Sequence, residues 1–261
     1  MISHDISGMG SNHGLRDEIR DYWSDRAAGF DQDPGHKISE GAERVAWRAL
    51  FRRHLGEPQG RRLLDLASGT GEIALLCHEL GFRVTGLDWA EPMLDRARLK
   101  AAKAAVDVTF LQADAERTML PTGSQQVIVT RHLVWTLVDP AAAFAEWFRV
   151  LTPGGRLLIV DGDFVSKGWV GALLSRLLGM KRPIAEGGMA ERHADILSRV
   201  HFSSGARAES VAALLRAAGF VDIKIDTALG RIHRAQAAGF GWKKSLMRRS
   251  EHRYAISARK P

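Results

Sequence analysis

The segment LLDLASGTGE, residues 63–72, constrains the fold of this chain more than any other stretch. Leu63, Leu64 and Leu66 form a short apolar run, Gly69 and Gly71 follow at once, and Ile73, Leu76, Cys77 and Leu80 then recur at helical spacing. A buried strand that passes into a helix over so few residues needs glycine in the turn, because only glycine enters left-handed backbone conformations without steric cost. The helix start then offers unpaired N–H groups at the strand's carboxyl end, where a polar or anionic ligand is favoured. About 20 residues on, a second apolar run ends in Asp88. Paired parallel beside the first strand, it places a carboxylate next to the glycine turn, where both hydroxyls of a ribose find an acceptor.

The same alternation continues down the chain and predicts a doubly wound α/β fold with a mainly parallel seven-stranded sheet. Strands are expected over 63–67, 83–87, 106–111, 126–130, 156–161, 221–225 and 253–258. Helices are expected over 72–80, 92–104 with Pro92 at its first position, 141–151 ended by Pro153-Gly154-Gly155, and 208–218. Two helices, about 15–30 and 41–55, precede this unit, joined by a Pro34-Gly35 turn. The chain therefore divides into a polar, disordered tail over 1–13 and a single domain over 14–261, with an N-terminal helical cap at 14–58 and a helical insertion or lid at 164–205. Within the insertion, Trp169, Val170, Leu173, Leu174, Leu177 and Leu178 make one apolar helical face, read as core packing, a lid, or an interfacial helix.

Composition excludes several classes of function. A chain of 261 residues, 45% apolar and 26% charged, is an ordinary globular protein. One cysteine, Cys77, builds neither a disulfide framework nor a thiolate metal site. The N-terminus lacks an apolar signal core and no segment approaches the length needed to span a bilayer, so a cytoplasmic location is expected. The net charge of +7 is concentrated late: from Arg231 to Pro261 Glu251 is the only acid among nine basic residues. Sparse aromatic residues there, Phe240, Trp242 and Tyr254, favour a solvated face over a nucleic-acid surface. Homodimer formation is left open.

The turn also satisfies the dinucleotide pattern G-x-G-x-x-A through Gly69, Gly71 and Ala74, so an NAD(P)-dependent oxidoreductase is an alternative. Asp65, inside the first strand, argues the other way. A carboxylate there opposes a pyrophosphate and favours a ligand carrying a sulfonium and an ammonium. Here the chain resembles the class I S-adenosylmethionine-dependent methyltransferases, in particular the small-molecule branch that includes the ubiquinone/menaquinone biosynthesis enzymes. The motifs LLDLASGTGEIALL, VTGLDWAEPMLDRAR, LQADAERTMLP, QVIVTRHLVWTLVDP and EWFRVLTPGGRLLIVDGD carry the resemblance, over about 22–163 and the final strands.

The resemblance implies S-adenosylmethionine as cofactor and assigns residues to it. Ala67, Ser68, Gly69 and Gly71 contact the methionine end through backbone, and Asp65 supports its ammonium. Asp88 holds the ribose hydroxyls, Trp89 and Met93 line the adenine pocket, and Asp114 and Ala115 meet the adenine edge. Arg131 adds a main-chain contact near the methionine group, and Tyr22 belongs to an aromatic pair over the cofactor.

The acceptor is expected near the ends of the fourth and fifth strands, which points to Trp23, Phe30, His36, Trp135, Asp161 and Asp163 as substrate contacts. His132, just past the fourth strand, is the first choice for a general base, with a buried structural histidine as the alternative. No metal is expected, since Asp161 and Asp163 alone do not form a converging set. The expected activity is methyl transfer to nitrogen, oxygen, sulfur or carbon of a small molecule. The absence of Asn/Asp-Pro-Pro-Tyr after the fourth strand argues against nucleic acid. A cofactor-binding protein without catalysis is the remaining alternative.

Overall fold

The computed structural model describes residues 14–33, 35–164, 188–237 and 252–261. Seven strands, β1 (Arg62–Leu66), β2 (Arg83–Asp88), β3 (Thr109–Gln112), β4 (Gln125–Arg131), β5 (Leu151–Asp163), β6 (Val221–Asp226) and β7 (His252–Arg259), form one sheet in the order β3-β2-β1-β4-β5-β7-β6. β1 to β5 pair in parallel, and β7 lies antiparallel to both β5 and β6. The helices among the described residues are α1 (Leu15–Arg26), α2 (Ala42–Leu55), α3 (Glu72–Leu80), α4 (Glu91–Lys103), α5 (Pro140–Val150), α6 (Met189–Arg199), α7 (Ala208–Ala217) and α8 (Gly230–Ala237).

Successive strand residues face opposite sides of the sheet, and both sides are covered by helices, which is why the strands read as continuous apolar runs. Leu63, Val127, Val129 and Leu158 pack with Trp47, Phe51, Leu76 and Ala97 of α2, α3 and α4. Leu64, Leu66, Ile128 and Ile159 pack on the other side with Phe144 and Trp147 of α5 and Val211 and Leu215 of α7. Asp139 caps α5, its carboxylate accepting the Ala142 N–H at 3.0 Å, with Pro140 as the first helical residue. Cys77 is buried and unpaired by any disulfide. No helix among the described residues is long and apolar enough to cross a membrane.

The elements differ from the sequence expectation in several places, the first being α1, which ends at Arg26 rather than near residue 30. β3 starts at Thr109, three residues late, because Val106 belongs to the turn that closes α4. α4 begins at Glu91, which puts Pro92 second in the helix. Pro153-Gly154-Gly155 do not form a loop after α5: the helix ends at Val150 and β5 begins at Leu151, the extra residues being taken up by a register shift against Gln125 and Val127 of β4. α8 was not among the expected helices, and it is held to α2 by Ile232 in the core and by a Gln236 side-chain N–H donated to Glu43 at 2.8 Å. The apolar face of residues 169–178 and residues 238–251 of the basic segment lie outside the described residues.

α1 crosses the carboxyl edge of the sheet and is fixed at both ends. Arg16 pairs with Asp114 at 3.6 Å and with Glu116, while Arg192 and Arg199 of α6 pair with Asp25 and Glu18. The chain after α1 runs back over the start of α3. Asp31 accepts a hydrogen bond from Thr70 at 2.6 Å and an ion pair from Lys100 at 2.8 Å, and the Ile38 N–H donates to Glu72 at 2.8 Å.

Candidate active site

A cavity of about 270 Å³ opens between this N-terminal cap and the carboxyl ends of β1, β2 and β4. Its floor is the glycine turn. Ala67 and Gly69 have φ of 53° and 52°, and Gly71, the cap of α3, has φ of 85°. These left-handed conformations bend the chain sharply enough to expose main-chain groups of residues 67–70 to the cavity. Gly71 itself lies beneath the turn: a Cβ there would sit 3.0 Å from that of Ala97.

Asp88, the last residue of β2, organises the turn. Its carboxylate accepts the Gly69 N–H at 2.8 Å and the Ala90 N–H at 2.9 Å, one on each oxygen. Each oxygen keeps a further lone pair for a ligand hydroxyl. Burial raises its pKa while these N–H bonds oppose the rise. Asp65, 1% exposed, is pushed up to about 8 by burial, against the nearby Arg131 guanidinium and with Asp88 adding to the rise. A protonated, neutral Asp65 is the cheapest state in the absence of a cation.

Asp65 Oδ2, Ser68 Oγ and Arg131 Nη1 are all buried without a hydrogen-bond partner, and all three residues line the cavity. Buried polar atoms left unpaired cost free energy, so their clustering marks a place where a polar ligand completes the structure. Once an ammonium group draws the proton from Asp65, its carboxylate and the Arg131 guanidinium fit the two ends of an amino acid zwitterion.

At the β2 side, Trp89 and Met93 line the cavity, with the Arg20 guanidinium 5.8 Å from the Trp89 ring centre. Asp114 and Ala115 line it too. The Asp114 carboxylate accepts the Glu116 N–H at 2.8 Å, and burial raises its pKa. The opposite lobe is aromatic: Trp23, Phe30, His36, Trp135 and Phe164, with His132 beside them. Trp23 meets Phe30 and Trp135 edge-on at 6.1 and 6.4 Å, and Trp135 meets Phe164 edge-on at 5.8 Å. His36 stacks on Phe30 at 4.1 Å, and its Nδ1 lies 3.0 Å from the Phe30 carbonyl, so that nitrogen carries hydrogen. Burial lowers the His36 pKa, which holds the ring neutral at pH 7.

His132 follows β4 with φ of 61°, a left-handed conformation uncommon outside glycine and reached more often by Asn, Asp and His than by other side chains. Its N–H donates to Val160 O at 3.1 Å and its carbonyl accepts from the Trp135 indole at 3.1 Å, which lock the turn.

Four expected contacts, Tyr22, Gly71, Asp161 and Asp163, do not line the cavity. Tyr22, 2% exposed, packs between α1 and α6 with Ile196 and Val200, and stacks on His193 at 5.1 Å, so its ring does not line the cavity. The resemblance pointed to Tyr22 and Trp23 as an aromatic pair, and only Trp23 faces the site. Asp161 is also outside the main cavity. Its carboxylate accepts the Val134 N–H at 2.7 Å and the Gly162 N–H at 2.9 Å, which makes it the anchor of the 132–134 turn rather than a substrate contact. Asp163 is buried and does not line the cavity. Arg16, Arg20, Thr70, Glu116 and Phe164 line the cavity and carried no sequence signal of their own. Among the described residues no group of three or more His, Cys, Asp or Glu side chains is placed to hold a metal ion.

Residues 64–159 match a family model described as a methyltransferase domain. A demethylmenaquinone methyltransferase of Thermus thermophilus is 38% identical over 136 residues, 51% of this chain and 61% of that protein. A ubiquinone/menaquinone biosynthesis C-methyltransferase of Bdellovibrio bacteriovorus is 32% identical over 166 residues, 62% of this chain and 70% of that protein. The chain belongs to the class I S-adenosylmethionine-dependent methyltransferases. Its fold is shared with a phosphoethanolamine N-methyltransferase of Haemonchus contortus at a TM-score of 0.66 and 18% identity, over 95% of this chain and 60% of that one. The family's cofactor, S-adenosylmethionine, is a zwitterionic nucleoside. The acidic residue at the end of β2, the open turn and the unpaired Asp65, Ser68 and Arg131 atoms suit it.

Proposed function

We propose that this protein transfers a methyl group from S-adenosylmethionine to a small, ring-bearing acceptor held in the aromatic lobe of the cavity. The observation that carries the reading is one continuous space joining the Asp88 and Gly69 edge to Trp23, Phe30, Trp135 and Phe164. Bound along that edge, the cofactor supplies an electrophilic methyl group on a sulfonium. Asp88 would accept from the ribose hydroxyls, Trp89, Met93, Asp114 and Ala115 would surround the base, and Asp65 and Ser68 would meet the amino acid end.

The chain's own work is positioning. Methyl transfer is an in-line displacement, so holding the acceptor against the methyl group and keeping water out supply much of the acceleration. The edge-to-face rings suit a flat apolar acceptor, and α1 with the segment over residues 30–38 covers it. His132, at the junction of the two lobes, is the base for an acceptor that must lose a proton on attack. The names of the Thermus and Bdellovibrio relatives favour a hydroxylated or quinol-type ring. Residues 14–58 act as the cap of a single domain, with Arg16, Trp23, Phe30 and His36 reaching the cavity.

Incubation with S-adenosylmethionine labelled on the methyl group, together with a cell extract and with hydroquinones, tests the reading. Label in a small organic product supports it. Label confined to nucleic acid or protein, or binding of NADH in preference to adenosylhomocysteine, refutes it.

A further inference from the structure

We infer that the Arg131 guanidinium binds the α-carboxylate at the methionine end of the cofactor, so that Asp65 and Arg131 together read the amino acid zwitterion. The inference rests on the cofactor placement proposed above and adds a side-chain role to a position where only the main chain was expected to act.

Topology brings the two residues together. Asp65 of β1 is in register with Val129 of β4, and Arg131 lies two residues further along, so both side chains leave the same face of the sheet. The Arg131 guanidinium is fixed on two sides. Its Nη2 donates to the His36 carbonyl, and the Trp47 ring centre lies 5.4 Å from its Cζ. Nη1 is buried and has no partner. Burial lowers the pKa of Arg131, while Glu72, Asp65 and Glu43 raise it through space.

None of those three carboxylates closes an ion pair with it. Glu72 is taken by Lys100 at 2.7 Å and by the Ile38 N–H at 2.8 Å. Glu43 accepts from Ser39 N at 3.0 Å, from the Trp47 indole at 3.3 Å and from Gln236 at 2.8 Å. A buried guanidinium with an empty donor and no anionic partner is costly. A carboxylate entering the cavity beside Asp65 relieves that cost and matches the planar donor geometry of arginine. Tying down the chain at His36 needs only one of the five N–H groups and does not account for the orientation of the rest.

The test compares adenosylhomocysteine with its decarboxylated analogue, which keeps the ammonium, by calorimetric titration of the unmodified protein, Arg131→Met and Arg131→Lys. The unmodified protein is expected to prefer the carboxylate form by on the order of 10- to 100-fold, the range of a charge-assisted hydrogen bond. Arg131→Met erases the preference and Arg131→Lys keeps part of it. If Arg131 only steadies the cap, or serves the acceptor, both ligands weaken by the same factor in Arg131→Met and the ratio stands, which overturns the inference. An unmodified protein that binds both ligands equally also overturns it. Failure to bind adenosylhomocysteine at all sinks the cofactor placement itself. Arg131→Lys, which keeps the charge, decides the matter if Arg131→Met does not fold.

Discussion

The raised pKa of Asp65 makes cofactor binding a proton-releasing event. Asp65 is buried at the end of β1 with a pKa of about 8, facing Arg131, which lowers it, and Asp88, which raises it. At pH 7 about nine-tenths of the unliganded molecules then hold a proton on Asp65. An ammonium group brought against Asp65 favours the carboxylate, so binding should release about 0.9 proton at pH 7. By linkage, the affinity for adenosylhomocysteine should rise nearly tenfold per pH unit between about pH 5.5 and 7, where the ligand's own amino group stays charged. The sign for stability is opposite. A carboxyl whose folded pKa is raised stabilises the unliganded fold at low pH, and that stability falls by up to about 1.4 kcal/mol per unit as pH climbs from about 4 to about 8. Calorimetry in phosphate and Tris at matched pH reads the proton count from the dependence of the heat on buffer ionisation. Zero proton exchange with a flat affinity profile would refute the reasoning. So would an Asp65→Asn variant that kept the slope.

Asp88→Ala removes the acceptor for two ribose hydroxyls and frees the Gly69 N–H, and should weaken adenosylhomocysteine by about 2–4 kcal/mol, or 30- to 1000-fold in Kd, with a folded circular dichroism spectrum. His132→Asn keeps a residue type that tolerates the φ of 61°, and should lower kcat by about 10²- to 10⁴-fold with less than a threefold change in cofactor Kd; an unchanged kcat removes His132 as the base. Gly71→Ala combines a φ of 85° with a Cβ 3.0 Å from Ala97, and should cost about 1–3 kcal/mol in urea unfolding; an unaltered midpoint would mean that the turn is not rigid.

The glycine turn, Asp65 and Asp88 were legible because their information is local: residue type and spacing along one strand, one turn and the next strand. The seven-stranded sheet followed from the alternation of short apolar runs with helical ones. What failed depends on partners distant in sequence. Tyr22 and Trp23 share a helix, and only the docking of Ile196 and Val200 decides which ring faces the cavity. Asp161 looked like a substrate contact until the backbone N–H groups of residues 134 and 162 claimed it. Pro153-Gly154-Gly155 stop a helix in any local reading, yet pairing with β4 draws them into a strand. The side chain of Arg131 was unreadable for the same reason, since its neighbours Trp47 and His36 come from the N-terminal cap.

The most direct test of the account is a structure of the protein with adenosylhomocysteine. The prediction is a ligand whose ribose hydroxyls lie within hydrogen-bond distance of both Asp88 oxygens, with its amino acid end against Gly69 and Asp65. A ligand bound elsewhere, or one whose ribose turns away from Asp88, contradicts it.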